Sequence, residues 1–134
     1  MNTLKGSCLC GLVRFEVTGP IRGIGSCHCS KCRKVSGTAG NAQFIVPIER
    51  FRWLSGEDNV RDFMSGDGWE RNLRRCNECG SPMPDSFDGQ RMWVPAGLMD
   101  DQLGTDIRIH IYCGSRADWD SESPEAQCYE EGPE

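Results

Sequence analysis

Long apolar runs are missing from this 134-residue chain, and no stretch approaches membrane-spanning length. The opening Met1-Asn2-Thr3-Leu4-Lys5-Gly6 also lacks an apolar signal core. Together these absences predict a soluble, cytoplasmic protein without a membrane partner. Internal repeats and heptads are absent as well, which excludes a solenoid or a coiled coil. Helical periodicity is scarce. With 37% hydrophobic residues, sixteen glycines and seven prolines, the composition favours one turn-rich domain of short strands. Lysine and arginine are lacking from residues 118–134, which hold seven acids. Residues 1–117 therefore carry thirteen acids against fifteen bases, and the net charge of −5 belongs to the end of the chain. That balance does not support nucleic-acid binding, and the acidic end reads as a solvated, partly disordered tail.

What the chain has in excess is cysteine. Seven of nine cysteines form three tight clusters: Cys8-Leu9-Cys10, Cys27-His28-Cys29-Ser30-Lys31-Cys32 and Cys76-Asn77-Glu78-Cys79. Thiols one or two residues apart can close on one ion at little entropic cost, and Zn²⁺ favours tetrahedral sulfur ligation. The odd count and the absence of an export signal favour metal over disulfides. The pairs Cys8/Cys10 and Cys76/Cys79 make one closed shell, as structural zinc sites require. Cys27, Cys29 and Cys32 leave a second ion one ligand short, as catalytic sites require. His28 and His110 are alternative fourth ligands that would close that second site. A dithiol redox pair is the competing reading of each cluster. Cys113 and Cys128 have no close partner in sequence and read as ordinary thiols.

Leu12-Val13-Arg14-Phe15-Glu16-Val17 alternates as a half-buried strand ending at Gly19-Pro20. Further strands are expected at residues 43–47, 52–54, 60–63, 91–94 and 107–112. The best helix runs from Ser30 to Val35, with Ser30 as N-cap and Gly37 beyond its end. Cys8 and Cys10 are expected in an extended segment, facing the same way. Near the helix start, Lys31, Arg33 and Lys34 would favour thiolate at Cys29 and Cys32. Arg71, Arg74 and Arg75 read as a solvated strand face or as holders of ligand carboxylates. The four tryptophans read as core or rim residues, one of which could line a pocket.

Gly6-Ser7-Cys8-Leu9-Cys10-Gly11, then Cys27 through Ala39, then Cys76-Asn77-Glu78-Cys79-Gly80-Ser81 resembles the glutathione-dependent formaldehyde-activating enzyme family. Ala96-Gly97-Leu98-Met99-Asp100-Asp101, His110-Ile111 and Ser115-Arg116-Ala117-Asp118-Trp119 agree, so the resemblance reaches about Trp119. It implies a mainly β, β-tent fold of several small antiparallel sheets stapled by zinc, with very little helix. Residues 1–119 would form the zinc-binding domain and 120–134 the acidic tail. It further implies structural zinc on Cys8, Cys10, Cys76 and Cys79, and catalytic zinc on Cys27, Cys29 and Cys32. The implied activity is that of a carbon–sulfur lyase, joining glutathione or another small thiol to formaldehyde or a related small aldehyde. A thiol at the vacant zinc position would ionise more readily, since an ordinary thiol pKa is about 8.5. His28, His110 and solvent are candidate general acids, and Lys31, Arg33 and Lys34 candidate partners for glutathione carboxylates. A non-catalytic zinc scaffold for protein binding is the leading alternative, and a reactive thiol-transfer cluster at Cys27–Cys32 a further one.

Overall fold

The computed structural model describes residues 2–69, 73–121 and 124–133. Arg71, and Glu122 and Glu134 of the acidic end, lie outside the described residues. The chain is mainly β. Among the described residues nine strands form three small sheets: β1 (Thr3–Ser7), β2 (Arg14–Thr18) and β5 (Phe51–Ser55) in the first; β8 (Arg91–Pro95), β4 (Asn41–Pro47), β3 (Ile24–Cys27) and β9 (Ile107–Ile111) in the second; β6 (Val60–Asp62) and β7 (Arg74–Cys76) in the third. One α-helix, α1 (Ser30–Ser36), follows β3. The expected small sheets are present, with one difference. β3 and β9 run parallel, so the second sheet is mixed rather than antiparallel.

Alternation along the strands sets the main core. Phe15 and Val17 of β2 point inward, as do Phe44 and Val46 of β4 and Met92 and Val94 of β8. On the outward face of β2, Glu16 sits opposite Lys5 of β1 and Arg52 of β5. Both cations reach its carboxylate at 2.5 Å. The hydrogen bond from Lys5 is the largest influence holding the Glu16 pKa below the ordinary range.

The same alternation sends a second row of residues to the far side of the mixed sheet. Trp93 of β8, Asn41 and Gln43 of β4, Cys27 of β3 and Ile111 of β9 all lie there, away from Phe44 and Val94. That row becomes the wall of a cleft.

A smaller core contains Cys8, Val13, Cys76 and Met83, so two clustered cysteines are seated among apolar side chains. Gly56 closes the turn beside it in the left-handed conformation, φ 75°. A Cβ there would lie 2.4 Å from the Leu12 carbonyl oxygen and 2.9 Å from Val13 Cα. Both obstacles are backbone and cannot swing aside. Gly56→Ala is therefore expected to destabilise the fold by about 2–4 kcal/mol, from the left-handed penalty plus the overlap. A urea midpoint unchanged from the parent protein would refute this.

Candidate metal centres

The first centre is built from two turns. Strand β1 ends at Ser7, and the chain turns through Leu9 and Cys10, with the Gly11 N–H donating to the Cys8 carbonyl at 3.1 Å. Cys8 and Cys10 thus meet across a turn, not along the expected extended segment. Strand β7 delivers Cys76, and the Gly80 N–H donates to the Cys76 carbonyl at 2.8 Å, with Gly80 at φ 76°. The Ser81 hydroxyl accepts the Leu9 N–H at 3.0 Å and fastens one turn to the other.

The four sulfurs converge as a result, all within 4.8 Å of one another. Cys8 Sγ lies 3.5 Å from Cys10 Sγ, which lies 3.9 Å from Cys76 Sγ. A tetrahedron with zinc–sulfur bonds of 2.3 Å has an edge of about 3.8 Å. Backbone and side-chain donors surround the sulfurs: the Val13 N–H reaches Cys8 Sγ at 3.3 Å and Asn59 Nδ2 reaches Cys76 Sγ at 3.5 Å. Ser81 Oγ lies 3.3 Å from Cys79 Sγ.

The second centre uses the end of β3 and the start of α1. Cys27 closes the strand, and Cys29 is the helix N-cap, with its Sγ accepting the Cys32 N–H at 3.3 Å. The expected cap, Ser30, is instead the first helical residue. A thiolate sulfur is the better acceptor for the free N–H groups at the helix start, so the ligand doubles as the cap. Gly37 ends the helix as expected, its N–H donating to the Arg33 carbonyl at 2.7 Å. The sulfurs of Cys27, Cys29 and Cys32 all lie within 4.8 Å of one another. Among the described residues no fourth His, Cys, Asp or Glu joins them.

Electrostatics show what each donor set lacks. Burial opposes ionisation of Cys79, yet the Ser81 hydroxyl and N–H more than offset it and bring the pKa down to about 5. The Leu12 N–H favours ionisation of Cys10, but desolvation and the three neighbouring sulfurs push it up to about 12. In the second centre burial raises and the Cys32 N–H lowers the pKa of Cys29, with a net fall. Burial and the repulsion of Cys27 and Cys29 push Cys32 far up. In each cluster, then, ionisation is favoured at one sulfur and opposed at another, as close like charges require. A divalent cation removes that conflict, and soft sulfur donors at this spacing suit zinc.

His28 points away from the sulfurs, as expected for a residue between Cys27 and Cys29. Its buried ring (4% exposed) places Nδ1 3.1 Å from the Ala39 carbonyl and Nε2 2.8 Å from His110 Nδ1. A carbonyl only accepts, so His28 Nδ1 carries a proton and, in a neutral pair, His110 donates to His28 Nε2. Asp120 completes the group, with Oδ2 3.4 Å from His28 Nδ1 and 3.3 Å from Arg116 Nε. The acidic end is thus anchored at Asp120. The histidines line a separate groove with Ser26, Gly40 and Arg116, and neither is among the residues that line the thiol cleft or join its sulfurs.

Cys27, Cys29 and Cys32 open into a cleft of about 740 Å³. Lys31 lines it, with Nζ 3.2 Å from an Asp67 carboxylate oxygen and 5.5 Å from the centre of the Trp69 ring. Arg33 and Lys34 do not line it. Arg74 pairs with Asp62 at 3.0 Å and Asp85 at 3.6 Å, and Arg75 donates to the Val35 carbonyl at 2.5 Å. These two arginines hold the fold together rather than a ligand. Trp69 and Trp93 line the cleft, Trp53 packs against both cores, and Trp119 is exposed. Phe87 and Tyr112, which carry no sequence signal for a site, line the cleft too. Cys113 and Cys128 are exposed and belong to neither cluster. No described helix is long and apolar enough to cross a membrane.

Comparison with known proteins agrees with this architecture. A crystal structure of a Rhodobacter sphaeroides protein superposes with a TM-score of 0.56 at 20% identity, covering 76% of this chain and 98% of that one, which shows a shared fold. A curated Halomonas elongata protein, provisionally named a glutathione-dependent formaldehyde-activating enzyme, is 50% identical over 40 residues. That match spans 29% of this chain and about a quarter (26%) of the relative's length. The model of the family described as glutathione-dependent formaldehyde-activating enzyme matches residues 3–115, from β1 through the turn after β9 and so across all seven clustered cysteines. With most of its length and both cysteine centres inside that match, the chain belongs to the glutathione-dependent formaldehyde-activating enzyme family.

Proposed function

We propose that this protein is a cytoplasmic, zinc-dependent carbon–sulfur lyase that joins the sulfur of a small thiol, glutathione by the family's pattern, to formaldehyde or a related small aldehyde. Residues 1–119 form the zinc-binding domain, with a structural zinc on Cys8, Cys10, Cys76 and Cys79 and a catalytic zinc on Cys27, Cys29 and Cys32. Residues 120–134 form the acidic tail. The observation that carries the reading is the three-thiol cluster, which opens into the cleft and has no fourth protein ligand among the described residues.

Bound there, zinc supplies a Lewis-acidic position that favours ionisation of a substrate thiol near neutral pH. The remaining work falls to the chain. Cys29 is held in place by its bond from the Cys32 N–H, which fixes the donor geometry before substrate arrives. The cleft walls confine the aldehyde beside the thiol, so the two meet without the entropic cost of a chance encounter. As carbon and sulfur bond, the carbonyl π electrons pass to oxygen, which takes up a proton. Ser30, Tyr112 and Ser115 line the cleft and bring hydroxyl donors to that oxygen.

Exchange spectroscopy of formaldehyde with glutathione, run with and without the zinc-loaded protein, tests this directly. Faster exchange through S-hydroxymethylglutathione is expected. Unchanged exchange with both centres loaded would end the formaldehyde assignment.

A further inference from the structure

We propose that the electrophile this cleft selects is an aryl aldehyde, its ring seated among Trp69, Trp93 and Tyr112. This rests on the reading that a thiol substrate reacts beside Cys27, Cys29 and Cys32, and it concerns what that thiol attacks.

Size is the first ground. Formaldehyde has two heavy atoms and fills roughly the space of one or two waters, on the order of 30–60 Å³. The cleft is about 740 Å³. Most of it therefore faces something other than formaldehyde. Its walls join four aromatic rings to uncharged serine, asparagine and glutamine side chains: Lys31 is the one base among the described lining residues, and it is already paired with Asp67 at 3.2 Å. Three thiolates outweigh the charge of one divalent ion, so the carboxylates of glutathione sit better outside the ring-lined part of the cleft. A neutral, flat, apolar body suits it.

The rings are also held in position. Trp93 meets Phe87 edge to face, with centroids 5.0 Å apart and planes at 60°, and the Arg91 guanidinium lies 4.9 Å from the Trp93 ring. Lys31 lies over Trp69. Aromatic surfaces fixed before binding lose little entropy when a ring stacks on them. Tyr112 supplies the most specific sign. It is the one non-glycine residue with positive φ among the described residues, at 56°, and the residue is 65% exposed. A bulky residue in that conformation carries backbone strain, and burial of its own ring does not compensate for it. The left-handed turn after β9 presents the ring at the cleft instead.

The chemistry balances without any further reagent. The thiol loses its proton, its sulfur lone pair forms the bond to the carbonyl carbon, and the π pair moves to oxygen. Oxygen then takes a proton, giving a thiohemiacetal, with nothing oxidised or reduced.

Binding and reaction can be separated experimentally. Benzyl alcohol has the ring but no carbonyl, so it probes the seat without reacting with lysines. Saturation transfer from the zinc-loaded full chain to its ring protons is expected, and should persist when glutathione is added. Tyr112→Gly relieves the backbone strain and deletes the ring, so it should fold and hold metal while weakening this binding about two- to tenfold, the worth of one aromatic contact. Absence of transfer, an unchanged affinity in Tyr112→Gly, or displacement by glutathione would overturn the inference; displacement would assign the rings to the thiol's own body. Exchange spectroscopy with glutathione supplies the other arm. Acceleration with benzaldehyde exceeding that with formaldehyde supports the inference, and acceleration with formaldehyde alone overturns it. Acceleration with neither, while benzyl alcohol still binds, overturns the proposed reaction and leaves the aromatic seat standing.

Discussion

Cys76→Ser is expected to abolish cooperative folding, and removal of metal with a strong chelator to do the same. Cys76 is almost fully buried and packs with Cys8, Val13 and Met83, so the centre lies inside the smaller core. Its four sulfurs join the turn at residues 8–10 to the turn at residues 76–79, which chain connectivity leaves far apart. Structural zinc contributes about 10–16 kcal/mol of apparent binding free energy, while whole domains are stable by about 5–15 kcal/mol. Losing the closed centre thus removes a quantity comparable to the entire net stability. A serine oxygen, on a shorter bond than sulfur, also draws back from Asn59 Nδ2 and from the facing Cys10 sulfur. Far-ultraviolet circular dichroism during heating is the readout. A sharp transition within a few degrees of the parent protein would show that the four cysteines do not staple the fold.

Cys29→Ser should have the opposite profile: the fold retained, one metal lost, and thiol–aldehyde exchange reduced by at least about a hundredfold, since loss of a direct ligand exceeds the cost of altering its supporting shell. Serine is chosen because Cys29 has two jobs. It caps α1 by accepting the Cys32 N–H, and it belongs to the three-sulfur cluster. Serine is a strong N-cap and a poor soft ligand, so it preserves the first role and removes the second. Cys29→Ala removes both and should melt lower, by about 1 kcal/mol of stability. Elemental analysis, melting and exchange spectroscopy on the two variants separate the roles. Full activity in Cys29→Ser, or loss of both metals from it, would contradict the assignment.

The strands with strong side-chain patterns were legible in the sequence. Leu12–Val17 covers most of β2 because Phe15 and Val17 alternate with polar neighbours, and β4 and β8 follow the same rule. Strand β9 also lies where Ile107, Ile109 and Ile111 alternate, yet all five of its residues are exposed, Ile109 by 56%. Its alternation marks a sheet edge and a cleft wall instead of a half-buried surface. Strand β3 was not legible, since Ile-Gly-Ser-Cys has no apolar rhythm and owes its place to pairing with β4 and β9. The parallel partnership with β9 joins residues some eighty positions apart, which no local pattern can encode.

The cysteine clusters were legible because short chelate spacing is a local property. The cleft was not. Phe87 and Trp93 come from one part of the chain and Tyr112 from another, and strand register with one left-handed residue brings them to Cys27. The His28–His110 pair was missed for the same reason: the register of β3 with β9 sets Ser26 opposite His110, which brings its ring to His28.

The central claim is one closed centre and one open centre in a single chain. The most direct test is the time course of zinc release to a chromogenic chelator from protein loaded with zinc. Two zinc ions per chain are expected, one leaving quickly and one slowly, with the fast phase absent in Cys29→Ser and retarded by added thiol. A single zinc per chain, or two that leave together at one rate unaffected by thiol, would contradict it.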